Sequence, residues 1–275
     1  MSPDKLAESR LQALGIFRPD QIEVEAIAMD AGMRVEYEHL DGCEAMLMGV
    51  GNKAVATIKP SKHRGRERYS VGHELGHWEM HRGKSFRCRG DDPDRNFESD
   101  KALEKEADSY AAGLLMPSFL FSPAVEAIGE PSFIELEELA GAFGTSVLAT
   151  SMRLADLDRL PIVLACYSNG RLRWRKAARH IPNRWFLRMQ LDDDSFAYSL
   201  FQDGQAHPRL GKQPAETWFE NMDAERYQVR ECCRPVRVGE VLVLLYLESK
   251  MLQAGFDPNV GTRRYTAHGS YLTRR

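Results

Sequence analysis

The segment His73-Glu74-Leu75-Gly76-His77 constrains this chain most, because it is an H-E-x-x-H pattern inside a stretch with helical periodicity. Residues four apart lie on one face of a helix, so His73 and His77 are directed toward one place. The pattern suits a zinc ion held by two imidazoles, with Glu74 beside them as a general base for splitting a peptide bond. We therefore predict that residues 66–81 form a helix with a metal centre.

The same helix contains two glycines, Gly72 and Gly76. Each costs about 1 kcal/mol relative to alanine in a helix interior. Such a loss is easier to understand if another backbone packs closely against the helix there. Val71, Leu75 and Trp78 fall on the side away from the histidines, which predicts a separate apolar face.

A catalytic zinc site normally has three protein ligands, so two histidines are one too few. The segment 104–108 offers the third, with Glu104 as the favoured ligand and Glu106 as its competitor. Asp108 lies four residues after Glu104 and shares its helix face. We expect Asp108 to accept the free N–H of a ligating imidazole, which fixes the tautomer of that imidazole.

His81 extends the row of histidines by one helical turn and is the remaining alternative for the third ligand. A metzincin site would instead need a glycine at position 80 and a histidine at position 83. Met80 and Gly83 stand at these positions, so the metzincin class is excluded.

Two blocks of this sequence resemble the signatures of the ImmA/IrrE metallopeptidases. The block RERYSVGHELGH at 66–77 is similar to their RQRFSxAHELGH signature, and EKEADSYAAGLLMP at 104–117 is similar to the segment that follows. The resemblance covers roughly residues 20–157. Asp108 is a departure, because asparagine is usual there in the family. Either side chain accepts a hydrogen bond, and the carboxylate makes its imidazole partner more basic.

The resemblance implies a zincin-like peptidase that holds one catalytic Zn²⁺, for which Mn²⁺ can substitute. It assigns His73, His77 and Glu104 as ligands and Glu74 as the base. It also implies a specific protein substrate, a helix-turn-helix transcriptional repressor, in stress response or mobile-element regulation. The residue that stabilises the oxyanion is left open, and the candidates are Tyr69, His63, His81 and Tyr110.

The whole chain is predicted to be α+β. We expect a zincin-like core, mostly helical with a small mixed β-sheet, at 1–130, and a helix-turn-helix-like helix pair at 131–160. A C-terminal α/β domain at 161–275 is expected to act as a sensor or to bind substrate, and a GAF-like fold is one analogy for it. The hairpin of residues 44–59 is expected to offer an edge strand to an extended substrate.

The helix pair is a poor DNA reader, because its second helix offers only Ser146, Thr150, Ser151 and Arg153. We predict a packing or substrate-binding arm instead. A basic run begins with Arg171, Arg173 and Arg175, which alternate on one strand face. Solvated or intramolecular charge is the default interpretation, and contact with DNA or an acidic partner is the alternative.

Composition sets broad limits on location and partners. The 275 residues have a net charge of −3, which gives no indication of a nucleic-acid binder. The five cysteines are scattered without C-x-x-C spacing, so we expect free thiols. No apolar run approaches the roughly 20 residues of a membrane span, and no secretory signal is evident. We predict a cytoplasmic protein that does not contact a membrane.

A competing function class is a regulator that binds a partner protein or DNA without cleaving it, with zinc as a structural element. Structural zinc sites are usually closed by four Cys or His ligands. The set found here has three ligands of mixed type, which argues against a purely structural ion.

Overall fold

A computed structural model describes residues 1–82 and 98–253 together with three short strands at 86–88, 264–265 and 271–272. These residues form helices and sheets in an α+β arrangement, which confirms the predicted class. They group into two compact units. Unit 1 comprises Met1–Ile128 and Glu137–Thr150, and unit 2 comprises Gly129–Leu136 and Ser151–Arg275. The functional division at residues 130 and 160 stays a prediction.

Unit 1 is built around a four-stranded sheet with helices. Its elements are α1 (Pro3–Ala13), α2 (Val24–Asp30), β1 (Met33–Tyr37), β2 (Ala45–Val50), β3 (Lys53–Ile58), α3 (Arg64–Met80), β4 (Phe86–Cys88), α4 (Glu98–Leu115) and α5 (Ser118–Ile128). The strand order is β1-β3-β2-β4, with β1 parallel to β3 and the other pairs antiparallel. Val50 pairs with Lys53 across Gly51 and Asn52, which confirms the predicted hairpin.

Helix α3 carries the H-E-x-x-H segment and packs against the sheet through its apolar face. Val71, Leu75 and Trp78 are buried, as predicted. The indole Nε1 of Trp78 donates a 2.8 Å hydrogen bond to the carbonyl oxygen of Ala31. A Cβ atom on Gly49 of β2 would lie 2.7 Å from the Trp78 ring, so only glycine lets the strand approach this closely.

Helix α4 crosses the other side of α3 at its two glycines. A Cβ atom on Gly72 would lie 3.4 Å from the Cα of Ala111, and one on Gly76 would lie 3.2 Å from the Cα of Ala107. The predicted close approach of a second backbone is confirmed. It brings the acidic segment of α4 alongside the motif histidines.

The start of α4 differs from the sequence-based expectation. Ser99 and Asp100 are residue types that favour a helix N-cap, so the sequence predicts that one of them caps the helix. This prediction is wrong, because α4 already begins at Glu98 and contains both residues. The polar composition of residues 88–100 predicts a loop, and most of this segment lies outside the described residues.

Within the described residues, no single helix has the length and apolar character to cross a membrane. One bent pair, Lys101–Leu115 with Ser118–Ile128, meets that test by length and composition alone.

The predicted helix pair is present as α6 (Phe133–Phe143) and α7 (Val147–Asp156), and the two units divide within both helices. In unit 1, the turn between them lies against the start of α3. A Cβ atom on Gly65 would be 3.1 Å from the carbonyl carbon of Thr145. The turn is therefore part of the packing of unit 1.

Unit 2 is a five-stranded antiparallel sheet with a helix on it. Its principal elements are β5 (Ile162–Ser168), β6 (Arg171–Ala177), α8 (Phe196–Asp203), β7 (His207–Pro214), β8 (Gln228–Arg237), β9 (Glu240–Leu247) and α9 (Ser249–Gln253), with a separate hairpin of β10 (Arg264–Tyr265) and β11 (Tyr271–Leu272). The strand order is β6-β5-β9-β8-β7. The pair Asn169-Gly170 predicts a tight hairpin turn between β5 and β6. Both residues have positive φ, as such a turn requires, which confirms the prediction.

A buried carboxylate secures the start of α8. Glu231 of β8 accepts hydrogen bonds from the backbone N–H groups of Phe196 (3.2 Å) and Ala197 (2.8 Å). The indole Nε1 of Trp218 donates a third, at 3.1 Å. Burial nevertheless raises the pKa of Glu231 to about 7. The start of α8 is thus held by Glu231 of a neighbouring strand and by its own N-cap Ser195, whose hydroxyl oxygen accepts a hydrogen bond from the backbone N–H of Tyr198.

Candidate metal centre

The two motif histidines meet at their Nε2 atoms. His73 and His77 lie one turn apart on α3, with residue exposures of 9% and 0%. Their Nε2 atoms are 3.2 Å apart. Burial lowers the pKa of His77, which favours the neutral imidazole. A neutral imidazole presents the lone pair that a metal ion requires.

Glu104 of α4 completes a group of three donors. Its Oε2 lies 3.2 Å from Nε2 of His73, and its Oε1 lies 3.5 Å from Nε2 of His77. Burial alone would raise the pKa of Glu104, but hydrogen bonds from His73 and His77 outweigh it and hold that pKa well below its ordinary value. The group therefore pairs a carboxylate with two imidazoles.

The separations of these donors fit a tetrahedral zinc ion. With Zn–N and Zn–O bonds of about 2.0–2.1 Å, neighbouring ligand atoms of a tetrahedron are about 3.3 Å apart. The three separations found here are 3.2, 3.2 and 3.5 Å. His73, His77 and Glu104 are thus a group that could hold a metal ion. Three protein donors leave a fourth tetrahedral position for a non-protein ligand.

Asp108 lies where the sequence spacing placed it. Its Oδ1 is 2.9 Å from Nδ1 of His73, on the opposite side of the ring from the donor atom Nε2. The same oxygen accepts a 2.8 Å hydrogen bond from the hydroxyl of Tyr69. The structure therefore brings together His73 and Asp108 as expected, and it adds Tyr69 to that contact.

The structure places His81 and Glu106 in a contact that sequence reasoning missed. The sequence offers both as alternatives to Glu104 for the third ligand. Nδ1 of His81 lies 3.0 Å from Nδ1 of His77, and its Nε2 lies 2.9 Å from Oε2 of Glu106. His81 thus contacts the side of the His77 ring that faces away from Glu104.

The remaining candidate residues occupy different environments. Glu74 is completely buried within α3, between the two histidines in sequence. His63 is exposed at the N-terminal cap of α3. Tyr110 is fully buried, and within the described parts of the chain its hydroxyl has no hydrogen-bond partner. Burial raises the pKa of Tyr110, nearby Glu79 raises it further, and Arg10 opposes this shift.

The predicted substrate-binding edge is partly wrong. In the hairpin of residues 44–59, β3 is covered by β1, and β2 pairs with β4 from Ala45 to Leu47. The sheet edges are therefore β1 and β4. Residues 86–88 follow the motif helix, and their sequence carries no strong strand pattern that would have predicted this addition.

The side chains considered for base recognition in the second helix of the pair are mostly buried. Thr150, Ser151 and Arg153 are each at most 6% exposed, so they are not available to a DNA groove. On β6, alternate residues including Arg171, Arg173 and Arg175 are exposed, and Arg173 pairs with Glu240 at 2.7 Å. The strand alternation is as predicted.

Comparisons with known proteins relate this geometry to a family. A solved structure described as a Mycobacterium tuberculosis transcriptional regulator has a similar fold, with a TM-score of 0.60 at 14% identity over 91% of this chain and 89% of that chain. Comparison with curated proteins gave no significant match. Residues 28–155, which include α3 and α4, match the family model of the IrrE N-terminal-like domain, Peptidase_M78. This match confirms that the domain containing the two sequence blocks resembles the ImmA/IrrE family.

Proposed function

We propose that this protein is a zinc-dependent endopeptidase of the cytoplasm that cleaves one specific regulatory protein, a helix-turn-helix repressor. The observation that carries the proposal is the agreement between the donor separations, 3.2–3.5 Å, and the edge of a zinc tetrahedron. The family's description as a peptidase supports the reaction. The substrate class rests on the resemblance.

Each residue of the centre would have a distinct role. His73, His77 and Glu104 would hold the ion, and Asp108 would fix the orientation and tautomer of His73. When bound, zinc polarises a carbonyl group and activates water for attack on it. Glu74 would take the proton of the attacking water and deliver it to the leaving amine. The complete burial of Glu74 suits a group that acts in a site closed to bulk water.

The contacts of the candidate residues reduce the number that could donate a hydrogen bond to the oxyanion. The Tyr69 hydroxyl already donates its proton to Asp108, and His81 lies behind His77. Tyr110 is buried beside Gly76 in the contact between α3 and α4. Each of these three would have to move before donating to a substrate oxygen. His63 is exposed and stays a candidate.

The domain functions follow the same proposal. We assign a zincin-like metallopeptidase core to 1–130 and a packing or substrate-binding arm to 131–160. The remainder, 161–275, would be a sensor or substrate-binding domain. Its antiparallel sheet and helix are compatible with a GAF-like fold.

A direct test uses purified helix-turn-helix repressors from genes beside the one for this chain. We expect zinc-loaded protein to convert one of them into two fragments, and chelator or E74Q to stop the conversion. Zinc-loaded E74Q must still bind the ion, because glutamine leaves the three ligands intact. Cleavage by zinc-loaded E74Q at the unsubstituted rate would contradict the role of Glu74.

A second candidate is a regulator that binds its partner without cleaving it. The structure of similar fold is described as a transcriptional regulator, which favours this alternative. It predicts that a repressor binds equally well to the unsubstituted protein and to E74Q and remains intact with both. Fragments formed only by the unsubstituted protein would exclude it.

A further inference from the structure

We propose that His81 and Glu106 are positioning residues that act through His77 and hold it in the tautomer needed to bind zinc. The inference rests on the proposed zinc centre. Neither residue touches the three donor atoms, so they differ from the ligands in what they do.

The two nitrogens of His77 face different partners. Its Nε2 lies beside Nε2 of His73 and a carboxylate oxygen of Glu104, at 3.2 and 3.5 Å. Its Nδ1 lies 3.0 Å from Nδ1 of His81. Because His77 is 0% exposed, the N–H on this side needs a protein acceptor, and leaving it unsatisfied would be costly.

One arrangement of protons satisfies the described contacts of His77 and His81 when His77 binds zinc. The lone pair of His77 must be at Nε2, so the proton is on Nδ1 and is donated to Nδ1 of His81. His81 must therefore be bare at Nδ1 and carry its own proton on Nε2. Nε2 of His81 lies 2.9 Å from Oε2 of Glu106, and this oxygen accepts a hydrogen bond from the N–H.

The two ligand histidines are thus supported in different ways by α4. His73 contacts the carboxylate of Asp108 directly, at 2.9 Å. His77 is connected to the carboxylate of Glu106 through a second imidazole. His81 can span this gap because it caps the end of α3 with non-helical angles, φ −123° and ψ 37°. Its side chain is 6% exposed, whereas that of Glu106 is 51% exposed.

The test compares four single variants and the double variant H81L/E106A of the whole chain by competition with a chromophoric zinc chelator. H81L removes the acceptor for His77, and H81N keeps an oxygen near the position of Nδ1 but loses the link to Glu106. E106A removes the exposed carboxylate that ends the series of hydrogen bonds from His77 through His81, and it leaves the core unchanged. K105Q changes an adjacent exposed residue of α4 and is the matched control.

We expect H81L to weaken zinc binding about 10–100-fold, as loss of a ligand's hydrogen-bond partner typically does. H81N should recover part of that loss, E106A should show a smaller loss, and K105Q should bind like the unsubstituted protein. In the H81L background E106A should have no further effect, because its influence passes through His81. Nitrogen-15 NMR of zinc-loaded protein should show the proton of His77 on Nδ1 in a hydrogen bond, and H81L should lose that hydrogen bond.

Zinc affinity in H81L within twofold of the unsubstituted protein would overturn the inference. The inference would also be overturned if E106A changed zinc affinity equally in the presence of His81 and in the H81L background. These outcomes leave the zinc centre itself intact. Failure of the unsubstituted protein to bind zinc would instead overturn the proposed function, and this inference with it.

Discussion

At the scale of single residues, Asp108 shows how one oxygen atom can organise a ligand. Its Oδ1 faces both the Nδ1 of His73 and the hydroxyl of Tyr69. Asparagine, usual in the family at this position, retains an acceptor oxygen but lacks the charge. The aspartate of this chain therefore should strengthen the imidazole as a ligand rather than merely orient it.

Substitution of Asp108 separates these two contributions. We expect D108A to weaken zinc binding by about 10–100-fold, since His73 loses its acceptor. D108N should fall between D108A and the unsubstituted protein. Y69F removes only the second hydrogen bond to Asp108 and is the control, with little expected change in zinc affinity. Equal affinities for D108A and the unsubstituted protein would show that Asp108 does not support the ligand.

Ionisation of Glu231 should make the stability of unit 2 depend on pH. Its pKa in the folded protein is about 7, above the ordinary value of 4.5, because burial disfavours the carboxylate. Between these values the folded state binds more protons than the unfolded state. The contribution that protonation of Glu231 makes to the free energy of unfolding is therefore fully present below about pH 4.5. It is lost as the pH rises through about 7.

The measurement is urea unfolding at pH 5 and pH 8 for the unsubstituted protein and E231Q. Glutamine cannot ionise, so the stability of the unsubstituted protein relative to E231Q should fall between these pH values, by up to about 3 kcal/mol. An unchanged difference between the two proteins would mean that Glu231 does not titrate in this range.

At the scale of elements, the contact of α3 with α4 decides whether Glu104 reaches the histidines. The two glycines of α3 make different contacts. A Cβ atom on Gly72 would meet Ala111 at 3.4 Å, an ordinary distance, whereas one on Gly76 would meet the Cβ of Tyr110 at 3.0 Å and the Cα of Ala107 at 3.2 Å. Helices α3 and α4 therefore pack more closely at Gly76 than at Gly72.

Alanine at each position provides a matched pair. Both substitutions gain about 1 kcal/mol of helix propensity, so their difference reports the packing at the crossing. We expect G76A to be about 1–3 kcal/mol less stable than G72A in chemical denaturation, the usual cost of overpacking. A G76A variant at least as stable as G72A would contradict the close crossing.

Elements with local sequence signals could be predicted, and those defined by distant partners could not. Asn169-Gly170 predicted its hairpin because positive φ suits these residue types. Strand β7 was missed, since its sequence HPRLGKQP lacks apolar alternation and depends on pairing with β8. The role of His81 was missed for a geometric reason. A helical wheel assumes helical angles, and His81 has left the helix.

At the scale of the whole molecule, the family match and the compact units describe different divisions of the chain. The match at 28–155 includes the metal centre and the helix pair. Unit 2 adds a sheet with its own core, in which β5 and β9 are buried along most of their length. The chain thus contains a domain that matches the IrrE N-terminal-like model and a sheet with its own core, for which a sensor or substrate-binding role is proposed.

Glu74 and the zinc centre are proposed to cut a particular protein. The most direct measurement compares protein N-termini, by mass spectrometry, between cells that express the unsubstituted chain and cells that express E74Q at equal levels. The proposed function predicts new N-termini within one repressor, or a few, that are present only with the unsubstituted chain. Identical sets of N-termini, in cells where both proteins contain zinc, would contradict it.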